Sequence, residues 1–265
     1  MKNKMIRFCL TMLILMPATA FTSTNSSTDA ALELYKKAVD YFEQNNSEEA
    51  TSTYIELINR YGSLTNIALE EPISRAFLYK ADLLRTQGKF IEGIVNYDEV
   101  IKRFGSSTNP TVQRHVANAL VSKGVALDKQ GKFDEAMASF DESIKRFEST
   151  TEPSVQEILA VGLALKAFTL VDHKKYLGAI ASFEEVIKHF GTSTNPILQK
   201  WVANSLTMIG IYLQVLGNLD GAIASYDELI KRYESSKEQG LLESVYSARL
   251  SRNGVVQLKN KLMQE

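Results

Sequence analysis

Apolar residues return every three or four positions from about Pro110 to Gln130, where Val116, Ala119, Leu120, Gly124 and Leu127 share a stripe interrupted by Lys123. That period places the stretch in an amphipathic helix. Asn109 followed by Pro110 opens it: the asparagine can bond free backbone N–H groups, and the proline has a φ suited to the first turn. Gly131 closes it, because glycine enters the left-handed conformation that ends a helix. A second stretch, Phe133–Phe147, follows at once. The pair reads as two antiparallel helices joined by a tight turn.

The pair is repeated. "GKFDEAMASFDESIKRF" at Gly131–Phe147 restates "GKFIEGIVNYDEVIKRF" at Gly88–Phe104, and Phe90, Phe133, Tyr176 and Leu219 stand 43 residues apart. Glu152-Pro153 and Asn195-Pro196 repeat the helix start, while Asn45, Gly88, Lys174 and Gly217 take the turn position of Gly131. On this phase, residues 31–73, 74–116, 117–159, 160–202 and 203–245 form five units, and residues 246–265 form a capping helix with a polar end. A two-helix unit cannot cover its own apolar face, so stacked copies are expected to build an all-α solenoid with function on the assembled surface.

Charges on the second helices follow the same phase. Asp141–Lys145, Glu142–Arg146, Asp98–Lys102, Glu99–Arg103, Glu184–Lys188, Asp227–Lys231 and Glu228–Arg232 each place an acid four residues before a base, which predicts solvated pairs along one helix. The acids cancel the field of the cations, so "IKRF" is not read as a basic recognition stripe.

These residues resemble the tetratricopeptide repeat, which sets a small residue in the first helix, another early in the second, and an aromatic four residues later. The first small position is Ala38, Ala81, Gly124, Ala167 and Gly210; the second is Ala50, Gly93, Ala136, Ala179 and Ala222; the aromatics are Tyr54, Tyr97, Phe140, Phe183 and Tyr226. That family repeats every ~34 residues, so these units are longer, the surplus falling in segments such as "GSSTNPTVQRH". The resemblance implies a right-handed superhelix whose first helices line a concave groove for a protein or peptide. Its phases make Val161, Leu165, Phe168, Met208 and Ile211 the candidate binding surface, with burial in the core as the competing reading of the same apolar spacing. The carboxylate clamp of chaperone-binding members is missing: Tyr35, Leu78, Val121, Ala164 and Thr207 occupy one set of its positions, and Val39, Asp82, Val125, Phe168 and Ile211 the other.

The N-terminus departs from the repeats. Lys2, Lys4 and Arg7 precede the apolar run Phe8–Met16 and then Ala18-Thr19-Ala20, the order of a secretory signal peptide over residues 1–20. The run is shorter than the ~20 residues of a spanning helix. A Ser/Thr-rich linker is expected at 21–30, and a periplasmic or secreted location follows, with inner-membrane anchoring if the segment is retained. Cys9 is the only cysteine and lies within that segment.

A net charge of -1 gives no electrostatic case for nucleic acid, and 45% hydrophobic residues suit a folded chain. His115, His173 and His189 fall at three different repeat phases and are expected at the surface, without a convergent metal or base site. No Walker loop, dinucleotide fingerprint or nucleophile elbow is present. The sequence therefore reads as non-enzymatic and cofactor-free, with a protein or peptide as partner and membrane contact only through an uncleaved N-terminus.

Overall fold

The structure, a computed structural model, describes residues 18–264; the cationic start, the apolar run Phe8–Met16 and Cys9 lie outside the described residues. The described chain is helical throughout, without strands. It runs α1 (Ala18–Glu43), α2 (Ser47–Tyr61), a 3-10 turn (Ile67–Leu69), α3 (Glu70–Thr86), α4 (Phe90–Phe104), α5 (Pro110–Lys129), α6 (Phe133–Phe147), α7 (Pro153–Asp172), α8 (Tyr176–Phe190), α9 (Pro196–Val215), α10 (Leu219–Tyr233) and α11 (Gln239–Leu262). The unit edges placed at 74, 117, 160 and 203 fall inside first helices, and the terminal helix begins at Gln239, ahead of residue 246. Residues 21–30, read as a linker from their composition, lie within α1, where Thr28 and Ala31 are buried.

Local chemistry sets the helix ends. Asn109 Oδ1 accepts from Thr111 N at 2.9 Å, and Asn195 Oδ1 from Ile197 N at 2.8 Å, each ahead of a first-turn proline. The five expected turn positions all adopt positive φ: 75°, 76° and 78° at Gly88, Gly131 and Gly217, and 57° at Asn45 and Lys174. Glycine and asparagine tolerate that region; Lys174 takes it at a steric cost.

From α3 onward the first helices of successive pairs pack on one another, whereas each second helix packs on the first helices to either side and makes no substantial contact with the next second helix. The first-helix layer is therefore the tighter, inner wall of a curved stack. Tyr54, Tyr97, Phe140, Phe183 and Tyr226 fill the core with essentially no exposed surface. The small positions exist for these rings: a Cβ on Gly210 would stand 2.6 Å from Tyr226 Cζ, and one on Gly124 2.8 Å from Phe140 Cε1.

The repeated charges hold units to each other more than they hold one helix. Asp98 pairs with Lys123 and Asp141 with Lys166, both at 2.7 Å, and Asp227 pairs with Arg252; every partner lies on the first helix of the next unit. This corrects the expected Asp98–Lys102, Asp141–Lys145 and Asp227–Lys231 pairs, because the next helix brings a cation closer than the neighbouring turn does. Glu142–Arg146 and Glu228–Arg232 do form along their helices, at 3.8 and 2.6 Å. The same arginines also reach backwards. Arg146 donates to the Gly105 carbonyl at 3.0 Å and Arg232 to the Gly191 carbonyl at 2.9 Å, satisfying groups left open where α4 and α8 end.

Candidate functional site

The inner wall divides into two halves of different chemistry. At the N-terminal end, α3 and α5 enclose a cavity of about 210 Å3 lined by Arg75, Tyr79, Asp82, Arg114, His115 and Asn118 together with Leu78 and Ile158. Arg75 is held over the rings of Tyr35 and Phe42, 6.0 and 5.8 Å from their centroids, and donates to Tyr35 Oη at 3.4 Å. Tyr35 in turn donates to Glu71 Oε1 at 3.2 Å. Asp82 accepts from Tyr97 Oη at 2.6 Å, and Arg85 donates to the same phenol at 3.2 Å. Arg114 stands exposed at the cavity rim and has no acidic partner among the described residues.

His115 corrects the expectation of a surface histidine. It is only 4% exposed, and its Nδ1 lies 2.8 Å from Ser74 Oγ on α3. Burial, with the nearby Arg114 and Arg75 cations as further causes, pulls its pKa down to about 4, so the ring is neutral at pH 7. His173 behaves differently, with Nε2 3.0 Å from Asp128 Oδ1 and its ring against Phe133.

The C-terminal half of the wall is apolar and carries all five candidate residues. Val161, Leu165 and Phe168 stand on α7, Met208 and Ile211 on α9, and none belongs to the buried core. Phe168 and Ile211 are 39% and 38% exposed, and the other three are half-buried. Phe168 meets Phe183 edge-on at 5.5 Å, and Met208 packs on the cluster that contains that ring. Leu165 instead leans on the cluster around Phe140 of the preceding unit.

Why α7 is apolar on both sides follows from its neighbours. It has the length and composition of a membrane-crossing helix, yet half of that stretch is buried in the stack: Leu159, Ala160 and Leu163 face the core. Gly162 lets it approach α5 closely, since a Cβ there would stand 2.8 Å from Val121 Cγ2. The remaining side, with Val161, Leu165 and Phe168, is turned to the inner wall. A solvent-facing helix surface is ordinarily polar, and this one is not. No signal in the sequence pointed to Arg114 and His115 at this cavity; they lie one turn nearer the start of α5 than Asn118. Among the described residues no cluster of His, Cys, Asp or Glu is suited to hold a metal ion.

A family model described as soluble NSF attachment protein, SNAP, matches residues 16–263. The chain belongs to this SNAP family. Its helix pairs are repeats of the tetratricopeptide type. The SNAP-family chain is similar in fold to the crystal structure of BtubC (BKLC) from P. vanneervenii, with 14% identity, 87% of this chain and 91% of that chain covered, and a TM-score of 0.52. It is also similar to PilW, a widely conserved type IV pilus biogenesis factor, at 11% identity, covering 89% of this chain and 93% of that one, with a TM-score of 0.49. A TPR repeats protein from Bacteroides fragilis matches at 15% identity over 88% and 98% of the two chains, with a TM-score of 0.36. No curated protein sequence matches the chain.

Proposed function

We propose that this chain is an exported, non-catalytic adaptor that binds a protein or peptide segment along its inner wall. The apolar stretch of Val161, Leu165, Phe168, Met208 and Ile211 takes the ligand's hydrophobic side chains, and the Arg75–Arg114–Asn118 cavity takes a polar part of the same segment. The observation that carries the reading is the exposure of Phe168 and Ile211 on two adjacent first helices, on a wall whose apolar character the stack itself does not require. A family named for attachment supports an adaptor role. Export rests on the cationic and apolar order of residues 1–20.

The test is affinity capture from an envelope extract with wild type, Phe168→Asp and Ile211→Asp, after N-terminal sequencing of the envelope-derived protein, which should begin near Phe21. Both variants should keep their helicity, with some loss of melting temperature where Phe168 gives up its edge-on contact with Phe183, and both should lose the wild-type partner. Normal folding with unaltered capture would remove the inner wall from consideration. Recovery of the intact Met1 form from membranes would replace export with anchoring.

A further inference from the structure

None of the described residues covers the outer face of α11, and its residues break the rule of the helices before it. Tyr246 is 66% exposed, while Ala31, Ser74, Ala117, Ala160 and Ala203, which hold its phase in the five preceding first helices, are at most 1% exposed. A tyrosine at that phase leaves no room for the close contact a further helix pair would make there. The apolar row continues at intervals of four through Leu250, Leu258 and Leu262, respectively 57%, 38% and 57% exposed, with Gly254 in its middle. A Cβ on Gly254 would meet no atom within 4 Å, unlike one on Gly124 or Gly210. Glycine inside a helix is unfavourable, and no described residue packs against it here.

The charges around the row are sorted as well. Arg249, Arg252 and Lys259 are turned back onto Glu234, Asp227 and Lys259's partner Asp220 on the α10 side. Glu243 and Lys261, near the two ends of the row, make no ion pair among the described residues; Glu243 accepts only from Gln239.

We propose that this face pairs with the same face of a second copy, the two α11 helices running antiparallel across a two-fold axis level with Arg252. Rows spaced by four interdigitate when helices cross. In this register Leu250 enters the notch at the second copy's Gly254, Tyr246 lies beside Leu258, and Glu243 reaches Lys261. Every contact occurs twice, as an isologous interface requires. Bulk meets notch and acid meets base, which is the self-complementarity that selects a second copy over an unrelated partner.

Sedimentation velocity on the full chain tests this with Leu250→Asp, Glu243→Lys, Lys261→Glu and the double exchange Glu243→Lys/Lys261→Glu. Wild type should be dimeric in the micromolar range, and Leu250→Asp monomeric with unchanged helicity. Each single charge reversal acts at two symmetric contacts and should weaken self-association about tenfold, and the double exchange should restore it. The restoration assigns the dimer to α11 rather than to the apolar N-terminus. A monomeric wild type, a Leu250→Asp variant that still dimerises, or a double exchange no better than the singles would overturn the proposal.

Discussion

Adding one methyl group at Gly124 pits two opposing effects against each other. Its Cβ would lie 2.8 Å from Cε1, 2.9 Å from Cζ and 3.0 Å from Cδ1 of Phe140, a ring with no exposed surface. Carbon atoms in contact normally stay about 3.5–4.0 Å apart, so the ring or helix α5 must shift within a filled core. Overpacking of this kind costs about 1–3 kcal/mol. Against it, alanine is favoured over glycine in a helix interior by about 0.8–1.0 kcal/mol. Gly124→Ala should therefore lose up to about 2 kcal/mol of stability. Phe140→Leu loses packing of its own but removes the obstructing ring edge, so the double variant should be more stable than the sum of the singles by about 1 kcal/mol. Urea unfolding of the four proteins, followed by circular dichroism, measures this coupling. A Gly124→Ala protein stabilised by the full helix propensity, additive with Phe140→Leu, would show that the ring does not sit over α5.

Two further outcomes are expected. His115 has a folded-state pKa lowered to about 4 while the unfolded chain retains the ordinary 6.5; the unfolded state therefore binds the proton first, and stability present above pH 6.5 should fall by up to about 3 kcal/mol as pH drops towards 4. Unfolding midpoints of wild type and His115→Gln at pH 7 and pH 5 check this, and equal pH dependence in the two would refute it. Lys174 holds a φ of 57°, where a side chain costs about 1–2 kcal/mol that the greater chain entropy of glycine offsets only in part. Lys174→Gly should raise the urea midpoint by the equivalent of up to about 1 kcal/mol, and an unchanged or lower midpoint would argue against strain at this turn.

What the sequence made legible is what is decided locally or by repetition. The turn at Asn45, Gly88, Gly131, Lys174 and Gly217 needs one backbone conformation, and residue type plus phase locate it. Phe140 and Tyr226 were legible as the recurring aromatic of the repeat, and the structure buries both against first-helix glycines. The candidate wall was legible as a phase, but its exposure was not: the same apolar spacing describes a core face, and only the packing of α7 and α9 separates Phe168 from Leu163. The Asp ties were misread because a rule for pairs within one helix was applied to residues whose partners, Lys123, Lys166 and Arg252, lie on the next unit. His115 was misread for a similar reason, since Ser74, its hydrogen-bond partner, lies on α3, the first helix of the preceding pair.

Some of the polar ties between units lapse at α8. Glu184 stands where Asp98, Asp141 and Asp227 reach forward, and Ile209 stands where Lys123, Lys166 and Arg252 receive them; Ile209 is buried and cannot pair. His189 stands where Arg146 and Arg232 reach back, and among the described residues it contacts no preceding carbonyl. With one such tie left on each side, Asp141–Lys166 and Arg232–Gly191, the stack beside α8 leans more on apolar contacts, with Phe183 between Phe168 and Tyr212 at ring separations of 5.5 and 6.4 Å. Phe168, Met208 and Ile211 border this seam. The forward tie is kept in three units and dropped in two, the other being the first, where Ile55 stands at the acidic position; a rule set aside in this way usually meets a second requirement on the same residues. Apolar packing is weakly directional, so a ligand whose side chains fill the space between α7 and α9 would join the contacts that already hold the two units together. Binding along this wall would then stiffen the stack at a seam that lacks the forward acid–base tie and keeps the Arg232–Gly191 bond.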